Sequence, residues 1–66
     1  MKRFLVFAGE CYYPQGGWDD FKGSYEHELE AKQTAEGHAQ GYRWAHVVDT
    51  QSEQIIATYA EGKAAL

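Results

Sequence analysis

The stretch RFLVFAG at residues 3–9 is the strongest constraint on what this chain can fold into. Side chains alternate across a strand, so Phe4, Val6 and Ala8 take one face while Leu5 and Phe7 take the other. Both faces are apolar, and a strand of that kind has to be covered on both. The cover must come from very little chain. The protein has 66 residues, read as one domain over residues 1–60 with a loose tail at 61–66. A domain of this size buries only about 60 % of the surface its unfolded chain exposes, and such domains lean on disulfides, metals or association. A single cysteine, Cys11, closes no intramolecular disulfide, and no Cys/His spacing reads as a structural zinc site. Self-association is the remaining compensation.

The rest of the chain divides by period. Residues 11–17 read as a loop, where Pro14 keeps Tyr13 out of helix and Gly16-Gly17 permits positive φ. Residues 18–25, WDDFKGSY, alternate well enough for a second strand paired with the first in a wide hairpin. That phase puts Trp18 and Asp20 on one face and Asp19 and Phe21 on the other, and Gly23 marks a bulge or a close backbone approach. Residues 26–40 read as the one helix, started by Ser24 or Glu26 and stopped by Gly41, with Ala31, Ala35, Ala39 and Leu29 inward. Residues 42–49 predict a third strand, with Tyr42, Trp44, His46 and Val48 on one face. TQSE makes a turn, and residues 54–60 a fourth strand hairpin-paired to the third.

The order β-β-α-β-β predicts an α+β fold, a four-stranded mainly antiparallel sheet with one short helix. One Ala-rich helix covers one face of such a sheet. The other face keeps large apolar side chains from several strands, and a patch of that kind marks an interface. The expectation is a homo-oligomer, a dimer or tetramer.

The charge narrows the partners. With 10 acidic against 6 basic residues the formal net charge is −4, which argues against long DNA or RNA. A small nucleotide needs only one arginine and a stacking ring, so it stays open. Lys2-Arg3 followed by FLVFA imitates a signal sequence, but the apolar run is short and meets Glu10, and no run is long enough to span a membrane. A cytoplasmic protein, in contact with no membrane, is expected.

Four groups of residues could carry chemistry. Tyr12, Tyr13, Trp18, Phe21 and Tyr25 crowd one stretch, with Trp44 on the third strand; flat rings at a loop–sheet junction suit either nucleobase stacking or core and interface packing. Asp19-Asp20 points in two directions in a strand, so the pair makes no shared-proton dyad; one carboxylate can read a purine N–H edge while the other serves a turn or an ion pair. Arg3 and Arg43 are the best phosphate forks, and His46 shares a face with Trp44, where it reads a ligand or packs structurally. His27 and His38 look solvent-facing. Cys11 has no evident base, and the chain holds no P-loop, GxGxxG, GxSxG or HExxH, so no enzymatic activity, cofactor or metal is expected.

YYPQGGWDDFKGSY, the acidic helix start with EAK, and then WAHVVD, a polar turn and QII resemble a group of very small phage and prophage proteins. These share a GGWxDFxGS-type stretch, a short helix and a WxHVVD-type strand, and the likeness covers about residues 3–57. Here SYEHELEA stands where SFDTLEEA is the pattern, which shifts how the helix start docks. Some small phage proteins of this style are immune sponges that assemble as oligomers. They sequester, without cleaving, the cyclic nucleotide or cyclic ADP-ribose-type signals of anti-phage systems such as CBASS and Thoeris. The resemblance implies such a sponge in the cytoplasm of an infected bacterial host. Tyr12, Tyr13, Trp18, Phe21 and Trp44 would stack on bases beside the Gly16-Gly17 loop. Arg3 or Arg43 would hold phosphate, and Asp19, Asp20 or His46 would read polar edges. The alternative is a protein-binding module that inhibits a host protein through the exposed apolar sheet face.

Overall fold

The computed structural model describes residues 2–10, 17–61 and 63–64, with 17, 18, 63 and 64 in their backbone alone. The apolar stretch near the start is strand β1 (Phe4–Glu10), and it is hydrogen-bonded on both edges. Antiparallel β2 (Phe21–Tyr25) flanks it on one side and antiparallel β3 (Arg43–Asp49) on the other. Antiparallel β4 (Gln54–Ala60) follows β3 across the turn at residues 50–53, where Glu53 takes a φ of 60° and its N–H donates to the Asp49 carbonyl at 2.8 Å. The fold is the α+β arrangement expected, β-β-α-β-β. The tail expected to be loose adds one element. The Glu61 N–H donates to the Arg43 carbonyl at 2.9 Å, Glu61 takes a positive φ of 52°, and the chain turns back as the two-residue strand β5 (Lys63–Ala64). The sheet order is β2-β1-β3-β4-β5.

Helix α1 (Glu28–His38) lies on the face carrying Phe4, Val6 and Ala8. Its buried stripe is Ala31, Ala35 and Ala39, four residues apart and fully buried. Such small side chains bring the helix close to β1 and β3. Beneath it the largest fully buried side chains are Val6 and Val47, which stand opposite each other in the β1–β3 ladder. Ala8, Ala45, Ala57 and Tyr59 complete this core, and Tyr25 and Ile56 pack against it.

The helix begins later than the sequence predicts. Ser24 and Tyr25 belong to β2, paired with Leu5 and Phe4, and the Ser24 hydroxyl accepts the Lys2 N–H at 3.2 Å instead of capping. The N-cap is His27, which makes no side-chain cap bond. Glu28 and Glu30 still occupy the first turn, where they favour the positive helix end, and Glu28 pairs with Lys32 one turn on at 2.8 Å. Leu29, placed inward by the sequence reading, is 68 % exposed.

The second correction concerns residues 18–20. Gly17–Asp20 form a 3-10 turn, and β2 begins only at Phe21. Two consecutive aspartates after a Gly-Gly pair favour a turn over a pleated ladder, so the strand phase expected for Trp18, Asp19 and Asp20 does not exist. Gly23 does mark a bulge. Val6 pairs with Gly23 and Phe7 with Phe21, which leaves Lys22 as the extra residue. Strict alternation from Gly23 would put Phe21 on the helix side. The bulge turns it to the other face, where its ring meets that of Phe7 edge-on at 5.6 Å.

One end of the sheet is tied by an ion pair. Arg3 Nε and Nη2 donate to the two carboxylate oxygens of Asp49, each at 2.8 Å, and Asp49 Oδ1 also accepts the Gln51 N–H at 3.0 Å. This fork, with the Gln51 bond, holds the Asp49 carboxyl well below the usual carboxylate range, against the opposing effect of burial. Thr50 binds the Arg3 carbonyl through its N–H and its hydroxyl, at 3.0 and 2.8 Å, so the start of β1 is locked to the β3–β4 turn.

Two glycines test this packing in opposite directions. A methyl added at Gly37 on the helix meets nothing within 4 Å, so Gly37→Ala is expected to stabilise the fold by up to about 1 kcal/mol. Gly9 stands opposite Trp44, and a Cβ there would lie 3.0 Å from the indole Cζ2. Gly9→Ala is expected to lower the thermal midpoint and perturb the near-ultraviolet signal of tryptophan; equal midpoints for the two variants would contradict the packing described.

Candidate functional site

A polar cavity of about 460 Å³ opens at the end of the sheet opposite the Arg3–Asp49 pair. It lies where β1 ends, β3 begins, the 3-10 turn enters β2 and the helix finishes. Its lining is Ala8, Gly9, Glu10, Asp19, Asp20, Lys22, His38 and Arg43. Each wall has a local cause. Alternation along β1 carries Glu10 to the same face as Ala8, and the ladder sets Arg43 opposite it. The 3-10 turn bends Asp19 and Asp20 over the opening, and Asp20 is 4 % exposed while Asp19 stays open to solvent. The bulge brings in Lys22. His38 follows Ala35 by three residues on the buried helix stripe and so reaches the same end.

Among the described residues the charge in this cavity is mixed: three carboxylates, one lysine, one arginine and one histidine. Among the described residues neither Lys22 nor Arg43 makes an ion pair, although Glu10 stands opposite Arg43 in register. Both cations are therefore available to an anion, and Glu10 and Asp19 to hydrogen-bond donors.

The residues singled out in the sequence fall in three places. Asp19, Asp20 and Arg43 meet in the cavity. Phe21, Trp44 and His46 lie on the other face of the sheet, away from the helix. Arg3 is bound to Asp49, six residues along β3 from Arg43 or roughly 20 Å, too far for both arginines to grip one phosphate within a protomer. Gly17 opens the 3-10 turn and Trp18 follows it; Cys11, Tyr12, Tyr13 and Gly16 lie outside the described residues. Sequence reasoning missed Glu10, Lys22 and His38. Two were legible: Glu10 continues the even-numbered face of β1, and His38 lies on the Ala31–Ala35 stripe instead of facing solvent. Lys22 depends on the bulge, of which Gly23 gave the only hint.

The face without the helix carries a cross-strand row of Phe21, Phe7, His46 and Thr58, beside a second row of Ser24, Leu5, Val48 and Ile55. Leu5 is 6 % exposed beneath its neighbours, whereas Ile55 is 50 % exposed. The Trp44 indole lies over Gly9, with its centroid 4.8 Å from the His46 ring at 37°. His46 Nδ1 is buried with no hydrogen-bond partner among the described residues, and burial pushes the imidazole pKa below its ordinary 6.5. A neutral ring is favoured because a charged one would leave a buried N–H unpaired.

Among the described residues no group of three His, Cys, Asp or Glu stands close enough to hold a metal ion, and no helix is long and apolar enough to cross a membrane. Fold and cavity together define a one-helix antiparallel α+β domain with a charged pocket at one end of its sheet. The family model described as Bacteriophage T4 protein Y07C matches residues 4–59, and the chain belongs to that family; it is a small phage protein. No curated protein and no solved structure matches it.

The environment of His46 has a direct readout. In an NMR titration its ring is expected to take up a proton below pH 6.5, and Trp44→Ala, which uncovers the ring, is expected to move the midpoint back up. A midpoint unmoved by Trp44→Ala would show that the indole is not its cover.

Proposed function

We propose that this phage protein is an immune-evasion sponge: it captures a cyclic nucleotide-type defence signal, a cyclic dinucleotide or a cyclic ADP-ribose isomer, and holds it without cleavage. The observation that carries this reading is the cavity, where Lys22 and Arg43, in no ion pair among the described residues, stand with Glu10, Asp19 and Asp20 around about 460 Å³. That volume lies within the range of about 300–1,000 Å³ usual for small-molecule sites. A nucleotide brings both halves of the complement, anionic phosphate for the cations and base N–H groups for the carboxylates. Sequestration needs tight equilibrium binding and no catalytic group. It acts by lowering free signal in the cytoplasm of the infected cell below the level its effector requires.

The apolar rows on the other face support the second element of the proposal, a homo-oligomer in which a copy of the chain covers Phe7, Trp44, Val48 and Ile55. The same rows favour the alternative, a module that docks on a host protein through that face.

A thermal-shift panel of cyclic dinucleotides, cyclic trinucleotides and cyclic ADP-ribose isomers separates the readings. A ligand at 100 times its dissociation constant is expected to stabilise the fold by about 2.7 kcal/mol, and to be recovered intact after heat denaturation. Arg43→Ala is expected to weaken the shift. Cleaved ligand would contradict sequestration, and silence across the panel would favour the protein partner.

A further inference from the structure

The polar groups around the cavity are not neutral as to which base they admit. Among the described residues its acceptor side chains are the carboxylates of Glu10, Asp19 and Asp20. A carboxylate accepts hydrogen bonds and donates none. Among the described residues no amide side chain lines the cavity. This matters because purines differ in what their edges offer. Adenine places the N6 amino donor beside a ring-nitrogen acceptor on either edge, a pattern an amide answers with one acceptor and one donor. Against a carboxylate, one oxygen of the pair would meet a lone pair. Guanine sets N1–H beside the N2 amino group, two donors in a row that match two carboxylate oxygens, while its O6 and N7 acceptors suit Lys22 or Arg43.

We infer that the cavity selects a guanine-bearing nucleotide over its adenine counterpart, with Asp19 as the base reader. Asp19 is the carboxylate placed for this. It is exposed at the opening, whereas Asp20 is 4 % exposed and Glu10 stands opposite Arg43, where it shares the ground on which phosphate would settle. The inference rests on the nucleotide reading above and names the base within it.

The test titrates the full chain with cyclic di-GMP and cyclic di-AMP, which share a phosphate ring and differ in base. The expected result is tighter binding of the guanine compound by roughly 5- to 150-fold, the discrimination of one bidentate base contact. Asp19→Asn, an isosteric change at an exposed position, should keep the melting temperature of the free protein and level or reverse the preference. Equal or tighter binding of cyclic di-AMP, or a response only to an adenine-based cyclic ADP-ribose, would overturn the guanine inference and leave the sponge reading standing. A guanine preference that survives Asp19→Asn unchanged would remove Asp19 as its reader. Binding of no nucleotide at all would overturn both.

Discussion

β1 is paired on both edges and apolar on both faces, and the rest of the molecule is arranged around that condition. One face is met by the shortest means available, an eleven-residue helix whose inner stripe is alanine. Small side chains at Ala31, Ala35 and Ala39 let the helix lie close over Val6 and Val47, so a thin core serves a 66-residue chain. Among the described residues the other face receives no second helix. Its side chains cover one another in part: Trp44 fills the space over Gly9, Phe21 leans on Phe7, and Leu5 is sealed between its neighbours. What stays outside is an apolar and aromatic surface on the side away from the cavity.

The two ends of the sheet are built differently. At the end where β1 begins, Arg3 and Asp49 close a bidentate pair and Thr50 binds the Arg3 carbonyl, so charge is neutralised and the backbone tied. At the end where β1 finishes, the chain turns through the 3-10 segment, slips one residue at Lys22 and brings the helix terminus alongside. Charged groups accumulate there, and Lys22 and Arg43 close no ion pair among the described residues. The bulge is central to this division, because one extra residue sends Phe21 to the apolar face and Lys22 to the cavity.

Most of the framework was legible because it rests on period. The alternation in RFLVFAG, RWAHVVD and QIIATYA places β1, β3 and β4 to within a residue, and the four-residue spacing of alanines gives the buried helix stripe. The failures have physical causes. WDDFKGSY alternates only loosely, and at residues 18–20 the turn tendency of Gly-Gly and Asp-Asp outweighs that pattern. Ser24 has the chemistry of an N-cap, but pairing with Leu5 claims it for β2, and the helix starts at Glu28. The Arg3–Asp49 pair joins residues 46 apart in sequence, a contact that no local pattern announces. The cavity was half visible: Asp19, Asp20 and Arg43 were singled out as ligand residues, while the bulge that adds Lys22 and the stripe position of His38 became plain only with the sheet and helix assembled.

The central claim is that ligand is captured at the charged end of the sheet and not on its aromatic face. Two-dimensional amide NMR during addition of cyclic di-GMP tests it most directly. The account requires the shift changes to gather at Glu10, Asp19 to Lys22, His38 and Arg43. Changes gathered instead at Phe7, Trp44, His46 and Val48, with the cavity residues still, would contradict it.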